Sequence, residues 1–377
     1  MRILLSIMLL FESVPLHVAA QEMVVSGSKI ALPEGNVIGA AFYEQKGAFF
    51  VQQVELLTEN GGLVIRLRPQ LSSWGIKSRS MLTKREFDLT PLGYSEYPCG
   101  RVEVSTKSNQ ILTCSAQTYI EILDPDNLSS VGRIAFKFDQ QIRDFAVDDL
   151  RSRVVVLSSR SDRSIRLTVY STLDGAQQQE TVIPSANADY MNLRLALDAK
   201  TGETAVVVNR ETRFPKADIY ICGSESTFGC ISVAKMDWVS QMSFLGRQLL
   251  VALNIFADRK KDCIVTVDPM TRSVSHDYCS PATGVHYAVG VVDKTYVVGF
   301  TGVGKRNWIS EENRSVSSSF SVWRAENPRV AAVAKDPTDY GSSQLAIRFV
   351  ASNTQPLFIA YNGVSNVLYL YSISDPK

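Results

Sequence analysis

Residues 192–208 decide the fold: Asn192-Leu193-Arg194-Leu195-Ala196-Leu197, a polar break, then Ala205-Val206-Val207-Val208. The first piece alternates polar with apolar residues, as a strand with one covered face does. The second is a continuous β-branched run, which fits a strand buried on both faces. The same couple recurs along the chain. Its first members begin at Val37-Ile-Gly-Ala-Ala-Phe, Cys99-Gly-Arg-Val-Glu-Val, Ile142-Arg-Asp-Phe-Ala-Val and Val239-Ser-Gln-Met-Ser-Phe. His286-Tyr-Ala-Val-Gly-Val and Leu345-Ala-Ile-Arg-Phe-Val complete the set. With Asn192 included, the successive spacings are 62, 43, 50, 47, 47 and 59 residues. Each is followed by its partner: Ala48-Phe-Phe-Val, Ile111-Leu-Thr-Cys, Val154-Val-Val-Leu, Ala205-Val-Val-Val, Leu249-Leu-Val-Ala, Tyr296-Val-Val-Gly or Leu357-Phe-Ile-Ala.

A small sheet buried on both faces and repeated about every fifty residues is a blade between two like blades, which predicts a seven-bladed propeller. Third strands end in turn signals: Ile120-Glu-Ile-Leu-Asp124-Pro125, Ile264-Val-Thr-Val-Asp268-Pro269, and Val169-Tyr-Ser-Thr-Leu-Asp-Gly175. Proline fixes φ there while aspartate caps the turned backbone. In this respect the chain resembles the YVTN-type and WD40-like seven-bladed propellers, where a strand ending near Asp-Pro precedes the outermost one. The resemblance spans almost the whole chain, although no Trp-Asp signature or YVTN tetrapeptide stands at the family's places. A β-solenoid and a two-domain β-sandwich are the competing architectures; neither needs this period to close a ring.

The last unit supplies only three strands before Lys377, so the missing outer strand is expected from Met23 to Leu32. That pairing would close the ring and cover an edge prone to association.

The compartment is read from the start of the chain. Met1-Arg2, an apolar run from Ile3 to Phe11 and Val18-Ala19-Ala20 before Gln21 describe a secretory signal cut near Ala20. A buried first strand is the bland alternative. The apolar run falls short of the about 20 residues that span a bilayer, and no transmembrane segment is expected. The mature protein is therefore read as one domain, residues 21–377, monomeric and secreted or periplasmic. Six cysteines fall as neighbours, Cys99 with Cys114, Cys222 with Cys230, and Cys263 with Cys279. Each couple brackets a predicted turn, so disulfides between neighbours suit an oxidising compartment. Free buried thiols and, more weakly, metal ligation are the other readings.

Charge sets limits on function. The 39 Lys+Arg against 38 Asp+Glu leave a net charge of +1, which excludes polyanion binding by bulk charge. Only three histidines exist, leaving His276 and His286 for any site beyond the leader. The sequence carries no nucleophile elbow, zincin helix motif, phosphate-binding glycine loop or EF-hand loop. No cofactor is implied.

Aligning the innermost strands gives one column at the axis: Gly39, Arg101, Asp144, Arg194, Gln241, Ala288 and Arg348, with His286 at one strand start. Crowded guanidinium groups need counter-charges and grip carboxylate or phosphate through a planar fork. An anionic small molecule, glycan or protein is the predicted partner. Cations wetted by channel water, or paired with Asp144, are the plain alternative. His286 is read as a general base or as a structural residue.

A second basic group lies in loops after the second strands: Arg160 and Arg163; Arg210, Arg213 and Lys216; Arg259, Lys260 and Lys261; Lys305 and Arg306. Topology puts these loops on one face. That rim would attract an anionic polymer, a membrane surface or an acidic partner, unless it is merely solvated. Few aromatics interleave the cations, so nucleic acid is not an expected partner. The loop from Gly302 to Ser319, carrying Trp308, Glu311 and Glu312, is a binding candidate by its length. Asn127 and Asn313 begin glycosylation sequons that matter only in a eukaryotic secretory route.

The expected function is thus a binding or interaction module. The alternative is a propeller enzyme such as a lactonase, a lyase or a quinoprotein-like dehydrogenase, and a purely structural envelope protein is a third reading.

Overall fold

A computed structural model describes residues 23–59, 64–88, 90–91, 99–136, 139–184, 190–210, 216–223, 229–253, 263–279, 285–302, 318–335, 347–362 and 366–375. The leader, Asn313 and most of the Gly302 to Ser319 loop lie outside these residues.

Seven antiparallel sheets follow one another in chain order and close into a ring. We number them as blades 1 to 7 by their innermost strands: Asn36–Tyr43, Val102–Ser105, Gln140–Asp148, Tyr190–Leu197, Val239–Leu245, Val285–Val292 and Ile347–Ala351. Each meets the apolar run expected beside it. In blade 3, for example, Phe145 faces Val156 and Val147 faces Val154.

The double burial of the second strands is explicit. Val206 and Val208 pack with Val155 and Leu157 of the preceding blade, whereas Ala205 and Val207 pack with Val251 and Val265 of the following one. Alternate side chains of a strand point to opposite faces, so a run without polar interruptions is what a blade between two blades requires. Among the described residues the buried apolar side chains form seven clusters, one at each interface between neighbouring blades.

The ring closes as expected. Val24–Ala31 is the outer strand of blade 7, antiparallel to Val367–Ser374 and in register from Val24 opposite Ser374 to Ala31 opposite Val367. Ile30 and Leu32 enter the cluster shared by blades 7 and 1.

Turns follow the aspartate logic. The Asp124 carboxylate accepts the N–H groups of Asp126 and Asn127, and Leu128 takes a left-handed conformation (φ 59°). Asp268 repeats this with Met270 and Thr271, ending at Arg272 with φ 58°. Asn127 is exposed in the first of these turns.

All three neighbouring cysteine pairs are bonded, with Cα separations of 5.7 Å for Cys99–Cys114, 4.1 Å for Cys222–Cys230 and 3.9 Å for Cys263–Cys279. The last two link residues directly opposite each other on paired strands.

Two features lie beyond the sequence expectations. Five innermost strands carry a bulge near their start, at Ile38, Arg143, Met191, Ser240 and Tyr287. A bulge inserts one unpaired residue and re-aims the side chains beyond it. Blade 1 also has unusually long second and third strands, Ala48–Glu59 and Val64–Gly75, plus a short extra strand at Thr90–Pro91.

Candidate functional site at the axis

Seven innermost strands surround the central channel typical of a propeller, and the side chains at their starts meet there. The bulges fix which ones. Gly39, Asp144, Gln241 and Ala288 each follow a bulge directly, as does Asn192 in blade 4. Arg194 therefore stands two residues further along its strand than the expected column places it.

Gly39 and Ala288 contribute no polar atom; Ala288 is buried in the cluster between blades 6 and 7, and Gly39 lets a neighbouring backbone approach. A Cβ on Gly39 would stand 3.0 Å from the Gly100 carbonyl oxygen. Gly100 itself is left-handed (φ 69°), and its Cβ would stand 2.8 Å from the Ile38 oxygen. That contact turns the chain between Cys99 and Val102 and delivers Arg101 to the axis.

Arg101 is gripped. Its Nε donates to Glu103 Oε1 at 2.6 Å and lies 3.8 Å from Asp144 Oδ1. Its side chain keeps 36% exposure. Burial works against its charge, but Glu103 and then Asp144 outweigh that and hold the guanidinium more firmly protonated than usual. Burial lifts the Glu103 carboxyl above its ordinary range, and Arg101 offsets this only in part.

Asp144 is occupied as well. Oδ1 accepts the Phe145 N–H and Oδ2 accepts the Leu195 N–H of blade 4, both at 2.9 Å.

Arg194 is different. Among the described residues no acceptor lies within hydrogen-bonding reach of its guanidinium. Burial first, and the neighbouring Arg348 guanidinium second, push its pKa down to about 9. Asp144 and the Tyr361 hydroxyl pull weakly the other way. Tyr361 is buried opposite Arg348 on the second strand of blade 7. Its pKa is raised by burial against the opposing charges of Arg348, Arg101 and Arg194.

Four of the expected residues, Arg101, Asp144, Arg194 and Arg348, thus share one electrostatic environment. Glu103 and Tyr361 belong to it as well and were not anticipated. Glu103 was within reach of the sequence, since it shares a strand face with Arg101 two residues away. Gln241 instead bridges blades, its Nε2 donating to the Phe349 carbonyl at 2.9 Å, while its buried Oε1 has no partner. His286 lies in the strand Val285–Val292, but its side chain is outside the described residues.

The expected basic rim is only partly described. Arg160 pairs with Glu180 at 3.5 Å, Lys216 with Asp237 at 3.0 Å, and Arg210 with Asp218. Arg163 is exposed in a left-handed turn (φ 64°). Arg213, Arg259, Lys260, Lys261, Lys305 and Arg306 lie outside the described residues.

No protein-family model and no curated protein matches the sequence. Solved structures do match. The chain is similar to the β-propeller domain of Cps50 (Swd1) from Myceliophteria thermophila, with 10% identity, a TM-score of 0.56, and coverage of 91% of this chain and 98% of that one. It is also similar to Raptor from Chaetomium thermophilum, with 12% identity, a TM-score of 0.58, and coverage of 92% of this chain and 29% of that one. At such identities the likeness is one of fold, and the chain has a seven-bladed β-propeller architecture.

Proposed function

We propose that the chain is an exported binding module that takes an anionic ligand at its axis, between Arg194 and Arg348. One observation carries this reading: Arg101, Arg194 and Arg348 crowd around Asp144 and Tyr361, and among the described residues the guanidinium without an acceptor is Arg194. Arg101 is satisfied by Glu103 and Asp144, so it frames the site rather than filling it. A buried cation beside a second cation is costly unless something of opposite charge arrives. A carboxylate or phosphate group supplies that charge, and its planar or tetrahedral oxygens suit a pair of forks.

Export is part of the same proposal. It rests on the signal-like start, cut near Ala20, and on three disulfides of the kind that persist in oxidising compartments. Among the described residues no helix is long and apolar enough to cross a membrane. The basic rim is kept as a secondary attraction for acidic partners. Glu180, Asp218 and Asp237 neutralise Arg160, Arg210 and Lys216, so the cations outside the described residues would have to carry it.

The binding reading is preferred to an enzymatic one because Asp144, the acid expected at the axis, is held in place by two backbone N–H groups and faces Arg101, which gives it a structural part. A general base needs a lone pair within reach of the substrate proton, and two fixed hydrogen bonds and a facing guanidinium restrict how Asp144 can offer one.

Calorimetric titration of the purified protein with citrate, glucuronate and inorganic phosphate tests the proposal. At least one should bind in wild type, and lose at least tenfold in affinity in Arg194→Ala with Arg348→Ala. Unchanged affinity in that double variant would defeat it.

A further inference from the structure

Arg143 is the bulged residue of blade 3 and, of the five bulged residues, the one that carries charge. Its Nε donates to Ser159 Oγ and its Nη2 to Gln141 Oε1, both at 2.8 Å. These acceptors are neutral. Among the described residues no carboxylate pairs with Arg143, and nothing accepts from Nη1. Other half-buried arginines are treated differently: Arg68 pairs with Glu55, Arg85 with Glu121, and Arg160 and Arg166 with Glu180. Burial lowers the Arg143 pKa and no neighbouring acid restores it. It shares that condition with Arg194.

The strands place the two arginines on one path. Gln141 and Ser159 stand opposite each other near the start of the innermost strand, so Arg143 folds back towards the channel mouth. Ser159 shares a strand face with Leu157, which packs against Leu193 and Leu195 of blade 4. Arg143 therefore lies on the side of blade 3 that meets the blade carrying Arg194. Gln141 is two pairing steps above Asp144, and Arg194 is two residues below Asn192, the equivalent of Asp144. That offset is roughly 13 Å of strand, which two long side chains shorten.

We propose that Arg143 receives a second acidic group of the ligand held at the axis, so that the site takes elongated dianions with an acid at each end. The inference rests on the axial anion reading and names the ligand class for it. One acid lies between Arg194 and Arg348, and the other meets Arg143 at the mouth. Nε and one hydrogen of Nη2 hold the guanidinium in place, and Nη1 with the second hydrogen of Nη2 presents the fork that a carboxylate fits. Ser159 and Gln141 position that fork without neutralising it.

Titration calorimetry with matched pairs tests this: suberate against octanoate, and glucarate against gluconate, with inorganic phosphate as reference. In wild type at least one diacid should bind at least tenfold more tightly than the monoacid of its length. Arg143→Gln should bring that diacid down to the affinity of its monoacid. The comparison within each pair needs only the wild-type protein, so it stands even if the variant folds poorly. Equal affinities within both pairs, or a diacid advantage untouched by Arg143→Gln, would overturn the proposal. With phosphate still bound, either result would leave the axial anion site standing. Failure of every probe to bind, phosphate included, would defeat both.

Discussion

Asp144 in blade 3 receives the backbone N–H of Leu195 in blade 4, 2.9 Å from its Oδ2. The bond crosses an interface between blades at the axis, directly after the bulge at Arg143. The residue expected to help hold a ligand is a rivet between neighbours. Its remaining charge faces Arg101.

Asp144→Ala should therefore act on stability before function. It removes the acceptor of two buried N–H groups and one counter-charge of Arg101. Orphaned buried donors cost about 1–3 kcal/mol each, so a loss of roughly 2–4 kcal/mol in urea unfolding is expected, with Asp144→Asn milder. A change below about 0.5 kcal/mol, the range of ordinary surface substitutions, would mean the rivet does not matter.

Arg194→Gln should do the reverse. Removing a guanidinium crowded by Arg348 should raise the stability of the ligand-free protein by about 1 kcal/mol, while anion affinity drops at least tenfold. The sign with pH is fixed as well. In the folded protein this pKa is pushed down to about 9, whereas in the unfolded chain it keeps its much higher ordinary value. Between those limits the unfolded chain binds more protons, so wild-type stability gains as pH rises. The variant's advantage should be full below pH 9 and shrink above it. Urea midpoints of both proteins at pH 8, 9 and 10 read this directly.

The ring closure is exposed to a single glycine. A Cβ on Gly27 would stand 2.4 Å from Cε1 of Tyr371, on the strand it pairs with. Gly27→Val should force the outer strand of blade 7 away and bare the edge of Val367–Ser374. The expected result is a lower melting temperature and concentration-dependent association in size-exclusion chromatography, as an unpaired edge invites. A monomer of unchanged melting temperature would contradict this.

Disulfides link residues 15, 8 and 16 apart. Loops of this size are worth about 3 kcal/mol each through the unfolded state. Cys99→Ser with Cys114→Ser should differ from the other two paired replacements by also weakening anion binding. Cys99 and Gly100 deliver Arg101 to the channel, whereas the other pairs fasten third and outermost strands. Equal binding in all three double variants would place Arg101 outside the site's frame.

The sequence carried the architecture because blades impose a pattern visible in single residues. Val154-Val-Val-Leu157 must be apolar on both faces, and Asp124-Pro125 must turn. Closure by Met23 to Leu32 followed from counting strands. The axis was less legible. A bulge leaves no mark on residue identity, so Asn192 rather than Arg194 is equivalent to Asp144, and the column was off by two in blade 4. Tyr361 sits on a second strand, and only innermost strands were aligned. The acids that quiet the rim, Glu180, Asp218 and Asp237, lie on third and outermost strands. Counting charges within the loops themselves misses them.

The axial site is tested most directly by diffraction from crystals soaked in selenate, a phosphate-like dianion with an anomalous signal. The account predicts an anomalous peak between the Arg194 and Arg348 guanidinium groups, absent in Arg194→Gln crystals under the same soak. Selenate bound elsewhere on a well-ordered protein, with the space between those two arginines filled by water alone, would contradict it.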